Sequence, residues 1–169
     1  MPLKNIESSK LTQAYDHMLA RVKETLDKTG TGLQQAIDRA REKAIEVEEL
    51  SVEEAEKVAN YLRRDMMDAA QYLASDEVND LKSWFRFDVG LIETQLLDLL
   101  FSVADKTRLD LLNFEDEVQR GNEYHTGEIT GPGSLVCAAC GEHINFNQTG
   151  HIPPCPKCHA TVYSRFTQD

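Results

Sequence analysis

All four cysteines of this 169-residue chain fall in two Cys-x-x-Cys pairs, Cys137-Ala138-Ala139-Cys140 and Cys155-Pro156-Lys157-Cys158, with fourteen residues between them. A two-residue gap lets both thiolates of a pair bend onto one ion. A β-hairpin that brings two such pairs together completes a tetrahedron, with sulfur about 2.3 Å from zinc. The segment around them is rich in glycine and proline and too small to bury a core of its own, so it needs a staple. The spacing therefore predicts one metal ion held by Cys137, Cys140, Cys155 and Cys158. Zinc is the expected ion and iron the second choice, because a four-thiolate tetrahedron accepts either. Gly141 follows the first pair, where the chain needs positive φ; His159 holds the equivalent place after the second, and histidine tolerates that region.

Other uses of paired cysteines fit less well. A disulfide framework belongs to an oxidising compartment, and Met1-Pro2-Leu3-Lys4-Asn5 carries no apolar secretory core. A thioredoxin-like pair opens a helix in a βαβ unit, whereas glycine and proline surround both pairs here. A shell of four protein ligands leaves no open position for water or substrate, so the expected role is structural rather than catalytic. His125, His143, His151 and His159 are near in sequence, but the shell is already full. They are expected to be exposed or to hydrogen-bond around the site.

The first two-thirds of the chain reads as helix. Leu11, Tyr15, Met18, Val22 and Leu26 recur at helical steps, with Ser8 or Ser9 as a cap, until Thr29-Gly30-Thr31-Gly32 interrupts. Leu33, Ile37, Ala40, Ala44 and Val47 mark a second helix. Ser51-Val52-Glu53-Glu54 has the form of a capping box. It opens the most regular stretch, Val52, Ala55, Ala59, Leu62, Met66, Ala69 and Leu73, a heptad seam whose alanines admit a close neighbour. Val78, Leu81, Trp84 and Phe85 suggest a short helix, or a continuous one bent near Gly90. A last helix carries Ile92, Leu96, Leu99 and Val103, then shifts phase to Leu111, Phe114 and Val118. Short connections make antiparallel hairpins the default. The fold expected is mainly α: long antiparallel helical hairpins in a coiled-coil-like bundle over residues 8–120, then a small β zinc ribbon over 121–169. Strands are expected at Leu135-Val136, Ile144 to Phe146 and Thr161 to Phe166. The narrow seams make a homodimer an expectation as well.

Charge narrows the function classes. The chain has 18 Lys and Arg against 29 Asp and Glu, a formal charge of −11, of which only −2 falls from Gly121 onward. Such a surface repels phosphate backbones and disfavours broad nucleic-acid binding, though it suits a basic protein partner. No stretch reaches the roughly 20 apolar residues that cross a bilayer, so no membrane role is expected, and the location expected is cytoplasmic. The acidic run from Glu46 to Glu56 is a solvated helix surface: Glu48-Glu49 and Glu53-Glu54 are adjacent pairs rather than one face. A di-iron bundle wants Glu-x-x-His on two helices, and the only helical histidine, His17, has Ala14 three residues before it. There is no phosphate loop, nucleophile elbow or Glu-flanked histidine pair. Nothing calls for catalysis. Trp84, Phe85 and Phe87 could form an exposed contact patch, though core packing is the commoner fate of such residues.

Leu62-Arg63-Arg64-Asp65, Asp105-Lys106-Thr107 and Tyr124-His125-Thr126-Gly127-Glu128, continuing through Gly131, Gly133, Leu135 and Val136 to Cys137, resemble the YbeL-like family of bacterial zinc-ribbon proteins. The resemblance covers roughly residues 10–167. It departs at His159, where a ribbon knuckle ordinarily has glycine. It implies an acidic helical region with a C-terminal four-cysteine ribbon, and no assigned activity. Tyr124, His125 and Glu128 are expected in the strand that ties the ribbon to the last helix.

The functional expectation is a non-enzymatic protein-interaction or adaptor module with an unknown protein partner. One alternative is a nucleic-acid-associated ribbon, using Lys157 and Arg165 for phosphates and Tyr163 and Phe166 for stacking. The other is a thiol-based redox or zinc sensor that ejects its metal on oxidation.

Overall fold

Two glycines set the first corner of the chain. In a computed structural model, which describes residues 2–73, 88–111 and 123–165, helix α1 (Pro2–Thr29) ends where Gly30 takes φ 65°, and helix α2 (Leu33–Glu46) begins directly after Gly32. Helix α1 starts earlier than the periodicity indicates, so Ser8 and Ser9 lie inside it and not at its N-terminus. Proline suits a first helical turn, because its missing N–H has no intrahelical partner there.

The next corner follows the sequence closely. Helix α3 (Val52–Leu73) opens on a reciprocal cap: the Ser51 N–H donates to Glu54 Oε1 at 2.9 Å, and the Glu54 N–H donates to Ser51 Oγ at 3.2 Å. Two orphan amides are satisfied at once. Ala55, Ala59, Leu62, Met66 and Ala69 are buried as the seam requires, while Val52 is exposed. Val58, Asp65 and Ala70 are buried too, so the face is broader than a two-per-heptad stripe and belongs to a globular bundle. A 3-10 turn at Val89–Leu91, capped by Asp88, replaces the bend expected at Gly90 and leads to helix α4 (Thr94–Leu111). On α4 the buried position is Leu100 rather than Leu99, which is partly covered. Val78, Leu81, Trp84, Phe85, Phe87, Phe114 and Val118 lie outside the described residues.

The helices bury their apolar faces on one another around Tyr15, Met18, Leu19, Ile37, Leu62, Met66 and Leu100. None of them is long and apolar enough to cross a membrane, among the described residues. The chain then turns to β structure. Strands β1 (Tyr124–His125), β3 (Gly133–Cys137), β4 (His143–Phe146) and β6 (Val162–Arg165) form an antiparallel sheet in the order β1-β6-β3-β4. Strands β2 (Ile129–Thr130) and β5 (Gly150–His151) pair separately. The fold is thus mainly α with a small C-terminal β zinc ribbon carrying the four cysteines.

The ribbon meets the helices through α3 and α1, by way of β2 and β5, where the sequence reading ties it to the last helix. Ile129 of β2 belongs to the helical core, whereas Tyr124, Leu135, Cys137, Ile152, Cys155 and Tyr163 form a second small core inside the ribbon.

Candidate metal centre

The two cysteine pairs sit in turns built alike. In the first, the Gly141 N–H donates to Cys137 O at 3.0 Å and the Cys137 N–H to Glu142 O at 2.8 Å. In the second, the His159 N–H donates to Cys155 O and the Cys155 N–H to Ala160 O, both at 2.9 Å. Each turn needs one residue at positive φ just past its second cysteine, and Gly141 (79°) and His159 (65°) supply it. The histidine in the second turn therefore preserves the geometry that glycine gives the first.

The four sulfurs lie within 4.8 Å of one another, with Cys137–Cys158 and Cys140–Cys155 both at 3.6 Å. A tetrahedron with ligands about 2.3 Å from its centre has edges of about 3.8 Å, so the donor set fits a zinc-sized ion. The same distances are far beyond the roughly 2.05 Å of a disulfide. Cys137 and Cys155 are buried, Cys140 is half-buried and Cys158 is exposed.

The thiols are not equivalent. The backbone amides of Cys140 and Ala139, with the neighbouring sulfurs, pull the Cys137 thiol down to about 7. Burial works against the Cys155 thiolate, but the amides of Cys158 and Lys157 outweigh it and lower that thiol as well. Cys140 is drawn down by the Glu142 amide, yet burial and the other three sulfurs push it up to about 12. Cys158, drawn down by the Ala160 amide, is likewise raised on balance by burial and by Cys137 and Cys155. Four sulfurs this close repel one another when charged, so all four ionise together only when a cation neutralises them.

Among the described residues no other group of three or more His, Cys, Asp or Glu side chains converges in this way. His125 faces Glu123 and Glu128, and His151 Nδ1 lies 3.3 Å from Gly127 O. Tyr163 is buried against the cysteines with its hydroxyl donating to Pro153 O at 2.8 Å, so it offers no face for stacking. Burial, and then the nearby sulfurs, push its phenol up to about 12. Phe166 lies outside the described residues.

A second constellation, which periodicity does not reveal, joins ribbon to helices. Asp65 on α3 is buried at 1% exposure. Its Oδ2 accepts from the Tyr15 hydroxyl at 2.5 Å and from the Gly131 N–H at 2.8 Å; Oδ1 lies 3.3 Å from Arg165 Nη2. Arg165 also donates to Thr130 Oγ1 at 2.9 Å and to the Tyr124 hydroxyl at 3.0 Å. The Tyr124 hydroxyl donates in turn to Asp68. Arg64 stacks 3.9 Å over the Tyr124 ring and donates to Glu128 Oε1 at 2.7 Å and to Ile129 O at 2.9 Å. Burial, reinforced by Asp65, pushes the Tyr15 phenol well above its ordinary value, and burial does the same to Tyr124 against the pull of Arg165. Both therefore stay hydroxyl donors. Burial works against the Arg165 charge, but Tyr124, Asp65 and Asp68 outweigh it and raise its pKa. The sequence marks Arg64, Asp65, Tyr124, Glu128 and Gly131 as residues of the family resemblance and Asp65 as a polar residue between the buried Leu62 and Met66, but nothing in it says that they meet.

Comparison with known proteins agrees with this architecture. Residues 20–167 match the family described as zinc-ribbon containing domain. The chain is 27% identical over 157 residues to the protein described as "Uncharacterized protein YbeL" of Escherichia coli strain K12, covering 93% of this chain and 96% of that one. The counterpart in Escherichia coli O157:H7 gives the same figures. No solved structure matches.

Proposed function

The chain belongs to the zinc-ribbon containing domain family, and from that premise we propose a non-enzymatic protein-interaction or adaptor module stabilised by one structural zinc ion. Cys137, Cys140, Cys155 and Cys158 hold the ion. The observation that carries this reading is the convergence of four sulfurs within 4.8 Å at near-tetrahedral spacing. Four thiolates bring four negative charges to a divalent ion and fill its shell, which gives it a folding role and leaves no site for a substrate.

Native mass spectrometry of the full-length protein tests the metal: one zinc per chain is expected, and none in Cys137→Ser/Cys140→Ser. Cobalt substitution should give the intense visible bands of a tetrahedral four-sulfur site; a colourless cobalt protein would count against it. Affinity capture from the native cell, with the double-serine variant beside it, tests the adaptor role. A partner retained by the variant assigns binding to the helices, and the absence of any specific partner removes the role.

The nucleic-acid alternative loses support from the seam. Of the two basic residues in the ribbon, Arg165 is 7% exposed and committed to Asp65, Thr130 and Tyr124. Lys157 remains at the surface near Glu142. A titration against DNA and RNA at low salt is expected to show no binding.

A further inference from the structure

We infer that the ribbon is a metal-set latch on the helices: occupancy of the four-cysteine site and the packing of α1 against α3 are coupled through β6. The inference rests on the reading that the cysteines hold an ion, and adds a consequence of that ion far from the sulfurs. Strand β6 turns two buried side chains to one face, Tyr163 and Arg165. Tyr163 pairs in register with Cys137 of β3 and with Tyr124 of β1, inside the small core that contains Cys137 and Cys155. Two residues further on, Arg165 reaches out of the ribbon to Asp65 of α3. The same carboxylate accepts from Tyr15 of α1 and from the Gly131 N–H beside β2.

One strand therefore has its first half in the metal core and its second half in the helix seam. When the ion leaves, the two cysteine turns lose the clamp that reinforces the backbone pairing of β3 with β6, and the register that places Arg165 opposite Leu135 is weakened. Asp65 then lies buried beside the Tyr15 hydroxyl with one of its two cationic partners withdrawn, Arg64 Nε alone remaining 3.4 Å from Oδ1. A buried carboxylate deprived of one cation is less well compensated, which favours loosening of α1 from α3 to hydrate it. Thermodynamic reciprocity adds the converse: a defect made on the helix side of the seam weakens metal binding by the same factor that metal loss weakens the seam.

The experiment uses the full-length zinc-loaded protein. Zinc affinity is measured by competition with a chromophoric chelator. Hydrogen exchange is followed at residues 14–19 and 62–70, with and without chelation. Asp65→Asn and Tyr15→Phe alter the seam without touching a sulfur, and Ile37→Ala in α2 serves as a core defect elsewhere in the bundle. Zinc affinity is expected to fall about tenfold in Asp65→Asn, within the usual range of coupling between sites. It is expected to fall in the same direction in Tyr15→Phe and to hold at the wild-type value in Ile37→Ala. Chelation is expected to speed exchange at both segments. Wild-type zinc affinity in the seam variants, intact protection at residues 62–70 after chelation, or an equal loss in Ile37→Ala each overturns the latch while leaving the metal site standing. A full-length protein that takes up no zinc at all overturns both. Should Asp65→Asn fail to fold, Tyr15→Phe, which keeps the ring and gives up one hydroxyl, carries the measurement.

Discussion

A methyl group added at Gly131 would stand 2.8 Å from the Tyr15 hydroxyl oxygen and 3.2 Å from its Cε1. The Gly131 N–H is fixed by Asp65, so the backbone has little freedom to retreat. Gly131→Ala is expected to cost about 1–3 kcal/mol in urea denaturation, the usual range for overpacking a filled interior. Because the nearest atom is the hydroxyl, Gly131→Ala/Tyr15→Phe should cost less than the sum of its single changes, the signature of neighbours that share one space. A second residue-scale prediction concerns Asp16, which accepts from Thr149 Oγ1 at 2.5 Å. Burial, with a contribution from Glu93, raises its carboxyl above the ordinary value despite that hydrogen bond and His17. A raised carboxyl means the fold disfavours the ionised form: the penalty is present at neutral pH and relieved as pH falls through the folded pKa. Asp16→Asn keeps an acceptor for Thr149 and removes the charge. Its melting temperature is expected to exceed that of the wild type at pH 7, with the advantage vanishing in acid. An advantage that persists unchanged at acidic pH would assign the effect to something other than ionisation.

At the scale of elements, local chemistry announces itself and long-range polar burial does not. The capping box was legible because Ser51 and Glu54 act on each other's backbone three residues apart. Ser51→Ala is accordingly expected to cost about 0.5–2 kcal/mol, read as a shift in the urea midpoint with unchanged slope. Glu54 adds a pH signature. The Ser51 N–H, foremost among its partners, holds its carboxyl below the ordinary value, so its contribution is present at neutral pH and lost in acid. The cysteine turns were legible for the same reason: spacing fixes them, and both positive-φ residues fall where the pattern places them. Ser8 and Ser9 misled because a serine before an apolar run looks like a cap whether or not the helix continues through it. The two-residue strands β2 and β5 carry no periodicity at all, and yet Ile129 on β2 is 1% exposed in the helical core. Ile129→Ala is expected to cost about 2–5 kcal/mol as a large-to-small core change. Because its neighbours are helical, the loss should appear in the helical circular dichroism signal. The pairing of Asp65 is hidden for a deeper reason: its partners Tyr15, Gly131 and Arg165 are 50, 66 and 100 residues away, and no window of sequence contains them.

For the whole molecule the governing quantity is the excess of 29 acidic over 18 basic residues, most of it on the helical portion. Like charges spread over a bundle repel across tens of ångströms. The compensating surface pairs act at contact, as in Lys23–Asp27 at 2.9 Å and Arg21–Glu49 at 2.8 Å. Screening treats the two unequally. Raising monovalent salt from 0.01 to 0.15 M shortens the Debye length from about 30 Å to about 8 Å, which removes the distant repulsions first. The contact pairs are worth only about 0–1 kcal/mol each at the start, so they have little to lose. The thermal midpoint is therefore expected to rise over that salt range, followed by far-ultraviolet circular dichroism. A falling midpoint would mean that the exposed pairs outweigh the repulsion. The seam between ribbon and helices supplies the internal contrast. Asp65 and Arg165 are 1% and 7% exposed, so salt reaches them poorly, and the cost of Gly131→Ala beside them should be the same at both ends of the series. A cost that shrinks as salt is added would place those charges in contact with solvent, and the latch would then lack the dry interior on which its coupling depends.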